Sequence, residues 1–128
     1  MMNEQEQPSI TRVLLVDDNP DATELLAMLL DGHELEVVTA QSGAEALERA
    51  RATRPQVVVL DLGLPDMDGY AVLEHMQAME DVRGARFIAL TGRNSREDQQ
   101  RMRQAGFHHQ LVKPPDLEQL IELITGAR

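Results

Sequence analysis

The feature that most constrains the fold is an unbroken run of β-favouring apolar residues at 57–60 that ends on an acid, Asp61. Such a run suits a strand covered on both faces, as in the middle of a parallel sheet. Turn-forming residues follow at once in segment 62–69. In open α/β sheets, ligands bind just beyond the carboxyl ends of the strands, which is where Asp61 falls. Asp61 is therefore either the cap of a turn or part of a functional site, and its position alone leaves both open.

A second pair of acids, Asp17 and Asp18, follows another apolar strand at residues 13–16. If the two strands are neighbours in a parallel sheet, three carboxylates meet at one edge. At roughly 5 Å and an effective dielectric near 20, each like-charged pair costs about 3 kcal/mol unless a cation neutralises it. Carboxylates without Cys or clustered His favour a hard divalent ion. The pattern predicts Mg²⁺, with Mn²⁺ as an alternative.

Strands and helices alternate along the chain. The predicted strands are 12–16, 35–39, 57–61, 86–91 and 110–113, and the predicted helices are 21–30, 42–54, 69–76, 95–105 and 116–124. This order predicts an α/β fold, a doubly wound parallel sheet of five strands with five helices in a flavodoxin-like, (βα)5 three-layer sandwich. Residues 1–9 are expected to form a disordered tail and residues 10–128 a single domain.

Two of the predicted helices differ in how much apolar surface they carry. Helix 21–30 has Leu25, Leu26 and Leu29 at helical spacing, which is typical of an amphipathic helix. Helix 95–105 is mostly polar, although Ser95 and Gly106 suit its two caps. We expect that polar helix to be held weakly and to be free to shift.

Composition and charge exclude several classes of function. The net charge is −10, which opposes direct binding to nucleic acid or to anionic lipid. The longest wholly apolar stretch, 25–30, is too short to insert in a membrane, and the first residues lack the features of a signal peptide. The chain has no Cys, which fits a cytoplasmic location. Aromatic residues make up only 2%, so the core must be aliphatic.

Three further groups fall at the same predicted sheet edge as the acids: Thr91, Lys113 and the backbone carbonyl of Gly63. A salt bridge would explain Lys113 and a helix cap would explain Thr91. Neither explains why they converge with the acids. A carboxylate nucleophile, a metal, a cation and a hydroxyl are together what a transferring phosphoryl group needs.

Four short motifs carry a resemblance to a known family. They are VDDN at 16–19, Asp61 with LPDMDG at 64–69, LTG at 90–92, and KP at 113–114. In this order and spacing, residues 12–125 resemble the receiver domain of two-component response regulators. Segment 105–114 most resembles receivers attached to hybrid histidine kinases.

The resemblance implies a role for each site residue. Asp61 would be the phosphoacceptor that takes a phosphoryl group from a phosphohistidine of a histidine kinase or histidine phosphotransfer protein. Asp18, Asp61 and the Gly63 carbonyl would bind Mg²⁺ directly, with Asp17 acting through a bound water. Lys113 and Thr91 would contact phosphoryl oxygens, and the Lys113–Pro114 bond would be cis. Such a protein is an autocatalytic phosphoacceptor rather than a turnover enzyme, with a downstream target and a phosphorylation-dependent homodimer as further expected partners.

One residue departs from the family pattern, since Gln110 stands where an aromatic switch residue is usual. The chemistry does not need that aromatic ring, but the usual signal relay does. The adjacent His108 and His109 should point to different faces, which argues against a shared metal. Tyr70 is expected to be a partly buried helix residue. Two further acids, Asp66 and Asp68, are expected to serve as loop and cap residues.

Three other classes of protein compete with this interpretation. Phosphohydrolases of the haloacid dehalogenase type have a second Asp two residues after the nucleophile, where this chain has Gly63. A flavin or nucleotide binder needs a phosphate-cradling loop after the first strand, where Asp17 and Asp18 would repel phosphate. A receiver-like interaction module that is never phosphorylated usually lacks the acids or the lysine, and here all are present. The phosphorylatable receiver is therefore the interpretation we adopt.

Overall fold

The computed structural model describes residues 10–126, and the predicted tail at 1–9 lies outside them. The elements in chain order are β1 Thr11–Val16, α1 Pro20–Leu30, β2 Leu35–Ala40, α2 Gly43–Thr53, β3 Val57–Asp61, α3 Gly69–Gln77, β4 Arg86–Thr91, α4 Arg96–Ala105, β5 His109–Val112 and α5 Leu117–Thr125. The strands form one parallel sheet in the order β2-β1-β3-β4-β5. The predicted doubly wound α/β sandwich is confirmed.

The sheet order places the two acid-bearing strands side by side. Val13 pairs with Val57 and Val16 with Leu60, so β1 and β3 end at nearly the same level. Every residue of β3 is buried, as the continuous apolar run predicts. The acids that follow β1 and end β3 therefore emerge together at the carboxyl edge of the sheet.

Side chains alternate between two apolar cores, one on each face of the sheet. One core joins Leu14, Val58 and Phe87 of the sheet to apolar residues of α2, α3 and α4. The other joins strand residues such as Val59 to Leu120 and their neighbours from α1 and α5. The three layers follow directly from this alternation.

Local capping chemistry fixes where most helices begin. Asn19, Ser42, Asp68, Ser95 and Asp116 each accept backbone N–H groups of the helix that follows. Ser95 and Asp98 complete a capping box on α4, and Gly106 ends that helix with a φ of 119°. The predicted capping box on α2 is only half formed in the described residues, since the structure records the Ser42 bond to the Glu45 N–H without its reciprocal.

The last strand differs from the prediction by one residue. β5 spans His109–Val112 rather than 110–113, because the chain enters the ladder earlier. The N–H of His108 donates to the Phe87 carbonyl at 2.8 Å, and the N–H of Lys113 donates to the Thr91 carbonyl at 2.9 Å. Lys113 therefore lies directly beyond the end of β5, beside the end of β4. The Lys113–Pro114 bond is cis, as the resemblance implied.

Helices α1 and α4 are each packed less completely than an ordinary core helix. In α1, Leu25, Met28 and Leu29 are 58%, 67% and 45% exposed, so part of the predicted apolar stripe faces outward. In α4, Met102 is the residue that is buried. Among residues 10–126, none of the helices has the length and hydrophobicity to cross a bilayer.

Candidate functional site

Three carboxylates meet at the carboxyl edge of the sheet. Oxygens of Asp17, Asp18 and Asp61 all lie within 4.8 Å of one another. Asp61 is 3% exposed and Asp17 is 8% exposed, whereas Asp18 is open to solvent. The convergence expected from two neighbouring parallel strands is therefore confirmed.

The loop backbone holds two of the acids in place. Asp61 Oδ1 accepts the N–H of Gly63 at 2.9 Å, and Asp17 Oδ1 accepts the N–H of Asn19 at 3.0 Å. Asp61 thus caps the turn that follows β3 and also belongs to the acid cluster. The two interpretations of Asp61 that the sequence left open are compatible, because Oδ1 accepts the turn N–H while Oδ2 faces Lys113.

Lys113 supplies the positive charge beside the acids. Its Nζ lies 2.6 Å from Asp61 Oδ2 and 3.4 Å from Asp17 Oδ2. Burial by itself lowers the pKa of Lys113, but the hydrogen bond to Asp61 and the charges of Asp61 and Asp17 outweigh it and raise the pKa above its ordinary value. The ammonium therefore stays charged throughout the neutral range.

Two of the acids, Asp18 and Asp61, open with the lysine onto a cavity of about 620 Å³. Asp18, Asp61, Gly63, Thr91 and Lys113 all line it. Thr91 is 6% exposed, and its Oγ1 accepts the N–H of Arg93 at 3.0 Å, which leaves the hydroxyl hydrogen free to donate. The groups predicted from separate strand ends thus share one cavity.

The charge and chemistry of this donor set fit a divalent cation. Three carboxylates and one ammonium leave an excess of two negative charges, and the potential ligands are all hard oxygens. Within the described residues, no other group of His, Cys, Asp and Glu side chains comes together in this way. Asp18 and Asp61 would hold the ion, and Gly63 lies beside them on the cavity wall.

The loop after β3 is fixed by contacts across the fold. Asp66 accepts the N–H of Gly43 at 2.7 Å and that of Ala44 at 3.0 Å, so it caps the start of α2. These two bonds lower the pKa of Asp66 below its ordinary value. Asp68 accepts the N–H of Tyr70 at 2.8 Å and caps α3. The prediction that Asp66 and Asp68 serve as loop and cap residues is confirmed.

Sequence reasoning missed the far wall of the cavity. Tyr70, as predicted, is a half-buried helix residue, but it also lines the cavity with Asp98, Arg101 and Arg93. Arg93 follows the Thr91 motif and could have been suspected from that alone. The others depend on how α4 packs against α3, for which the sequence carries no local signal.

Gln110 and the two histidines lie away from the acids. Gln110 is half-buried and lines a separate cavity beside Asn94 and Gln99. His108 accepts the N–H of Phe87 through Nδ1 at 3.0 Å, whereas Nε2 of His109 lies 3.2 Å from Arg86 Nη1. The two rings have different partners, as expected for adjacent residues.

The fold and the site define a flavodoxin-like α/β protein with an acidic pocket at the carboxyl edge of its sheet. The family model described as the response regulator receiver domain matches residues 13–125. The chain therefore belongs to the response regulator receiver family, whose members act in two-component signalling.

Individual relatives agree with this assignment. The chain is 39% identical over 118 residues to the transcriptional regulatory protein PrrA of Mycobacterium leprae, covering 92% of this chain and 50% of PrrA. It is 31% identical over 114 residues to the polar-differentiation response regulator DivK of Brucella ovis, covering 89% and 93% of the two chains. The chemotaxis response regulator CheY4 of Vibrio cholerae superposes with a TM-score of 0.86 at 28% identity, covering 94% of this chain and all of CheY4. The subtype attached to hybrid histidine kinases stays a prediction.

Proposed function

We propose that this receiver accepts a phosphoryl group onto Asp61 from a phosphohistidine, in a reaction that requires Mg²⁺. The observation that carries the proposal is the contact of Lys113 Nζ with Asp61 Oδ2 at 2.6 Å, inside a cavity that Asp18 and Thr91 also line. One carboxylate, its neutralising cation and a hydroxyl donor thus face one space. The protein is a phosphoacceptor that works in the cytoplasm, and it does not turn over substrate as an enzyme does.

Each residue has a defined task in the transfer. A carboxylate oxygen of Asp61 forms the new bond to phosphorus while the bond from phosphorus to the donor's imidazole nitrogen breaks. Lys113 leaves the carboxylate to pair with a phosphoryl oxygen, and the free hydroxyl hydrogen of Thr91 donates to another. A bound Mg²⁺ supplies charge neutralisation beside the acids. The N–H of Gly63 holds the other Asp61 oxygen and so keeps the nucleophile oriented.

The exposed face of α1 is where we propose that the phosphodonor protein docks. Leu25 and Leu29 border an apolar groove that continues to Pro115 and Leu117 and reaches Asp17. Because Asp17 contacts Lys113, a partner seated in this groove has its reactive group close to Asp61. We therefore assign the groove to a helix of the histidine kinase or histidine phosphotransfer protein.

Intact-mass spectrometry after incubation with Mg²⁺ and acetyl phosphate tests the acceptor role. Wild-type protein should gain one phosphoryl group, and the nearly isosteric Asp61→Asn should gain none while keeping its fold. Asp31→Asn, an exposed acid at the end of α1, is the matched control and should behave as wild type. A folded wild-type protein that gains no mass would instead favour an interaction module that is not phosphorylated. Equal gain by Asp61→Asn would show that another residue is the phosphoacceptor.

The docking surface has its own test. Leu25→Asp should slow transfer from a phosphorylated histidine phosphotransfer protein at least tenfold, because it charges an apolar contact, while labelling by acetyl phosphate stays unchanged. Val112→Asp, an exposed apolar residue outside the groove, is the control for the added charge. Equal rates for Leu25→Asp and wild type with the protein donor would exclude this face.

A further inference from the structure

The far wall of the cavity over Asp61 contains a stacked pair from two helices. The Cζ atom of Arg101, on α4, lies 4.1 Å from the centre of the Tyr70 ring, on α3. On another side, the Phe107 ring lies 6.0 Å away and is inclined at 75°. Tyr70 thus contacts both a cation and a second aromatic ring, and both Tyr70 and Arg101 line the cavity that contains Asp61.

Arg101 interacts electrostatically with Asp98 but forms no ion pair with it. The ion pairs between residues of the described chain use Arg12, Arg54 and Lys113, and Arg101 is in none of them. Asp98, one turn earlier, directs its carboxylate to the hydroxyl and N–H of Ser95. The guanidinium donors are therefore uncommitted within residues 10–126, and the aromatic face is a weaker partner than an anionic oxygen.

Helix α4 is held loosely enough for this pair to separate. Met102 is its buried residue, and the rest of the helix is polar. A hydrogen bond from Gln77 Nε2 to the Ala105 carbonyl, at 3.4 Å, secures its last turn to α3. The stacking of Arg101 on Tyr70 thus joins the middle of α4 to the first turn of α3.

Phosphorylation changes the charge in front of Arg101. It replaces the single negative charge of the Asp61 carboxylate with nearly two on the phosphoryl group at neutral pH. Lys113 already serves Asp61 and Asp17, so it brings no additional positive charge to the cavity. Arg93 and Arg101 both line this wall and neither is in an ion pair among the described residues, but Arg101 is the one that is held on an aromatic ring.

We propose that Arg101 is a second phosphoryl-binding cation, which is held on the Tyr70 ring until Asp61 is phosphorylated and then moves to a phosphoryl oxygen. This inference rests on the proposed function. Its consequence is a contact that differs between the two states, which is what a phosphorylation switch requires. Position 110, where the family usually has an aromatic switch residue, holds Gln in this chain. Tyr70 is then the aromatic residue whose surroundings change.

The composition of the chain provides a direct probe of this change. Tyr70 is the single tyrosine and there is no tryptophan, so near-ultraviolet fluorescence reports on this ring. We would titrate the protein with the phosphoryl mimic beryllofluoride in the presence of Mg²⁺. Wild type should show a saturable change in Tyr70 emission as the guanidinium leaves the ring.

Arg101→Gln should lose most of that change and should need about fivefold more beryllofluoride for half-saturation, because one charged contact is removed. Arg101→Lys, which keeps the charge but not the planar donors, should recover part of the affinity. Arg103→Gln is the matched control, since Arg103 lies on the same helix but lines a different cavity. It should match wild type in both respects.

Beryllofluoride binding by Arg101→Gln with wild-type affinity, measured by NMR, would overturn the inference while leaving the proposed function intact. So would an Arg101→Gln protein altered only in its resting emission and melting temperature, since that marks a packing role. A wild-type protein that takes up neither beryllofluoride nor phosphate from acetyl phosphate would overturn both proposals together. Intact mass on the same samples separates these cases.

Discussion

The ammonium of Lys113 lies between two acids from different strands, 2.6 Å from Asp61 Oδ2 and 3.4 Å from Asp17 Oδ2. It links the end of β5 to the ends of β3 and β1. Lys113 is also the only lysine in the chain. It is both a partner of the proposed phosphoacceptor and a competitor of any metal ion for the same oxygens.

This double role predicts that Lys113→Met will change metal binding and phosphorylation in opposite directions. Removing a positive charge beside the acids should raise the Mg²⁺ affinity about threefold or more. Loss of the phosphoryl-pairing cation should slow labelling by acetyl phosphate at least tenfold. Calorimetric Mg²⁺ titration and intact mass measure the two effects, with the exposed Arg83→Met as control. A lower Mg²⁺ affinity in Lys113→Met would contradict the competition.

Asp18 differs from the other two acids in its surroundings. It is the exposed member of the cluster, and Lys113 pairs with Asp17 and Asp61 instead. Asp18→Ala should weaken Mg²⁺ binding at least tenfold, as the loss of a metal ligand does. Without metal, the same variant should be as stable as wild type or up to about 1 kcal/mol more stable, because a crowded like charge is gone. Urea unfolding with and without Mg²⁺ checks both parts. Unchanged Mg²⁺ affinity would show that Asp18 is not a metal ligand.

Gly69 fixes the loop that carries the site. A Cβ added there would lie 2.7 Å from Leu62 Cα, a backbone atom directly after Asp61. Gly69→Ala should therefore cost about 1–3 kcal/mol of unfolding free energy and should also weaken Mg²⁺ binding, because the loop must shift. Gly84→Ala is the control, since nothing lies within 4 Å of its added Cβ. Equal stability of the two variants would show that the loop accommodates the added methyl group without a cost.

Residues at the strand ends could be predicted from the sequence. The apolar run before Asp61 fixed a buried strand, and the rule that parallel strands end at one edge brought Asp17, Thr91 and Lys113 to it. Each of these placements depends on the periodicity of a short segment and on the order of the strands in the sheet. Both can be inferred from the sequence. The convergence of these residues at one sheet edge was therefore predictable from the sequence.

The parts that were missed depend on packing between elements. Asp66 was correctly predicted to be a loop or cap residue, but not that it caps α2, whose first residue lies 23 positions earlier in the chain. Arg101 meets Tyr70 only because α4 lies against α3. The spacing of Leu25 and Leu29 correctly predicts a helix, but it does not tell which part of the stripe faces outward instead of the core. No single segment contains this information.

The surroundings of His109 lead us to predict a loss of stability in mild acid. Burial lowers the pKa of His109 below its ordinary value, and the charge of Arg86 and the proximity of His108 add to this. Arg86 can only donate, so the neutral ring must accept at Nε2. The unfolded chain, with a His pKa near ~6.5, then binds the proton more readily than the folded protein. Stability should fall as the pH drops below about 6.5.

Urea unfolding at neutral pH and in mild acid measures this effect. His109→Gln should show a smaller loss of unfolding free energy between the two conditions than wild type. His75→Gln, at the exposed end of α3, is the control and should keep the wild-type loss. If His109→Gln loses as much as wild type, other groups cause the acid sensitivity.

If Asp61 is phosphorylated as proposed, we expect the effect to reach α4 through Thr91. Its Oγ1 accepts the N–H of Arg93 at 3.0 Å, so a hydroxyl that turns toward a phosphoryl oxygen leaves that N–H without its acceptor. The segment from Arg93 to the Ser95 cap must then rearrange, and α4 with it. Gln110 is half-buried in another cavity, and burying its amide fully without partners would cost roughly 1–3 kcal/mol.

Beryllofluoride should therefore perturb backbone amides from Thr91 through α4 more than those around Gln110. Thr91→Ala should abolish most of these shifts, because the differential contact is lost, whereas Gln110→Ala should leave them nearly unchanged. NMR shift mapping of the three proteins measures this, with the Mg²⁺-bound form as reference. A Gln110 side chain that passes from half-exposed to buried on activation would show that position 110 still acts as the switch, despite its amide.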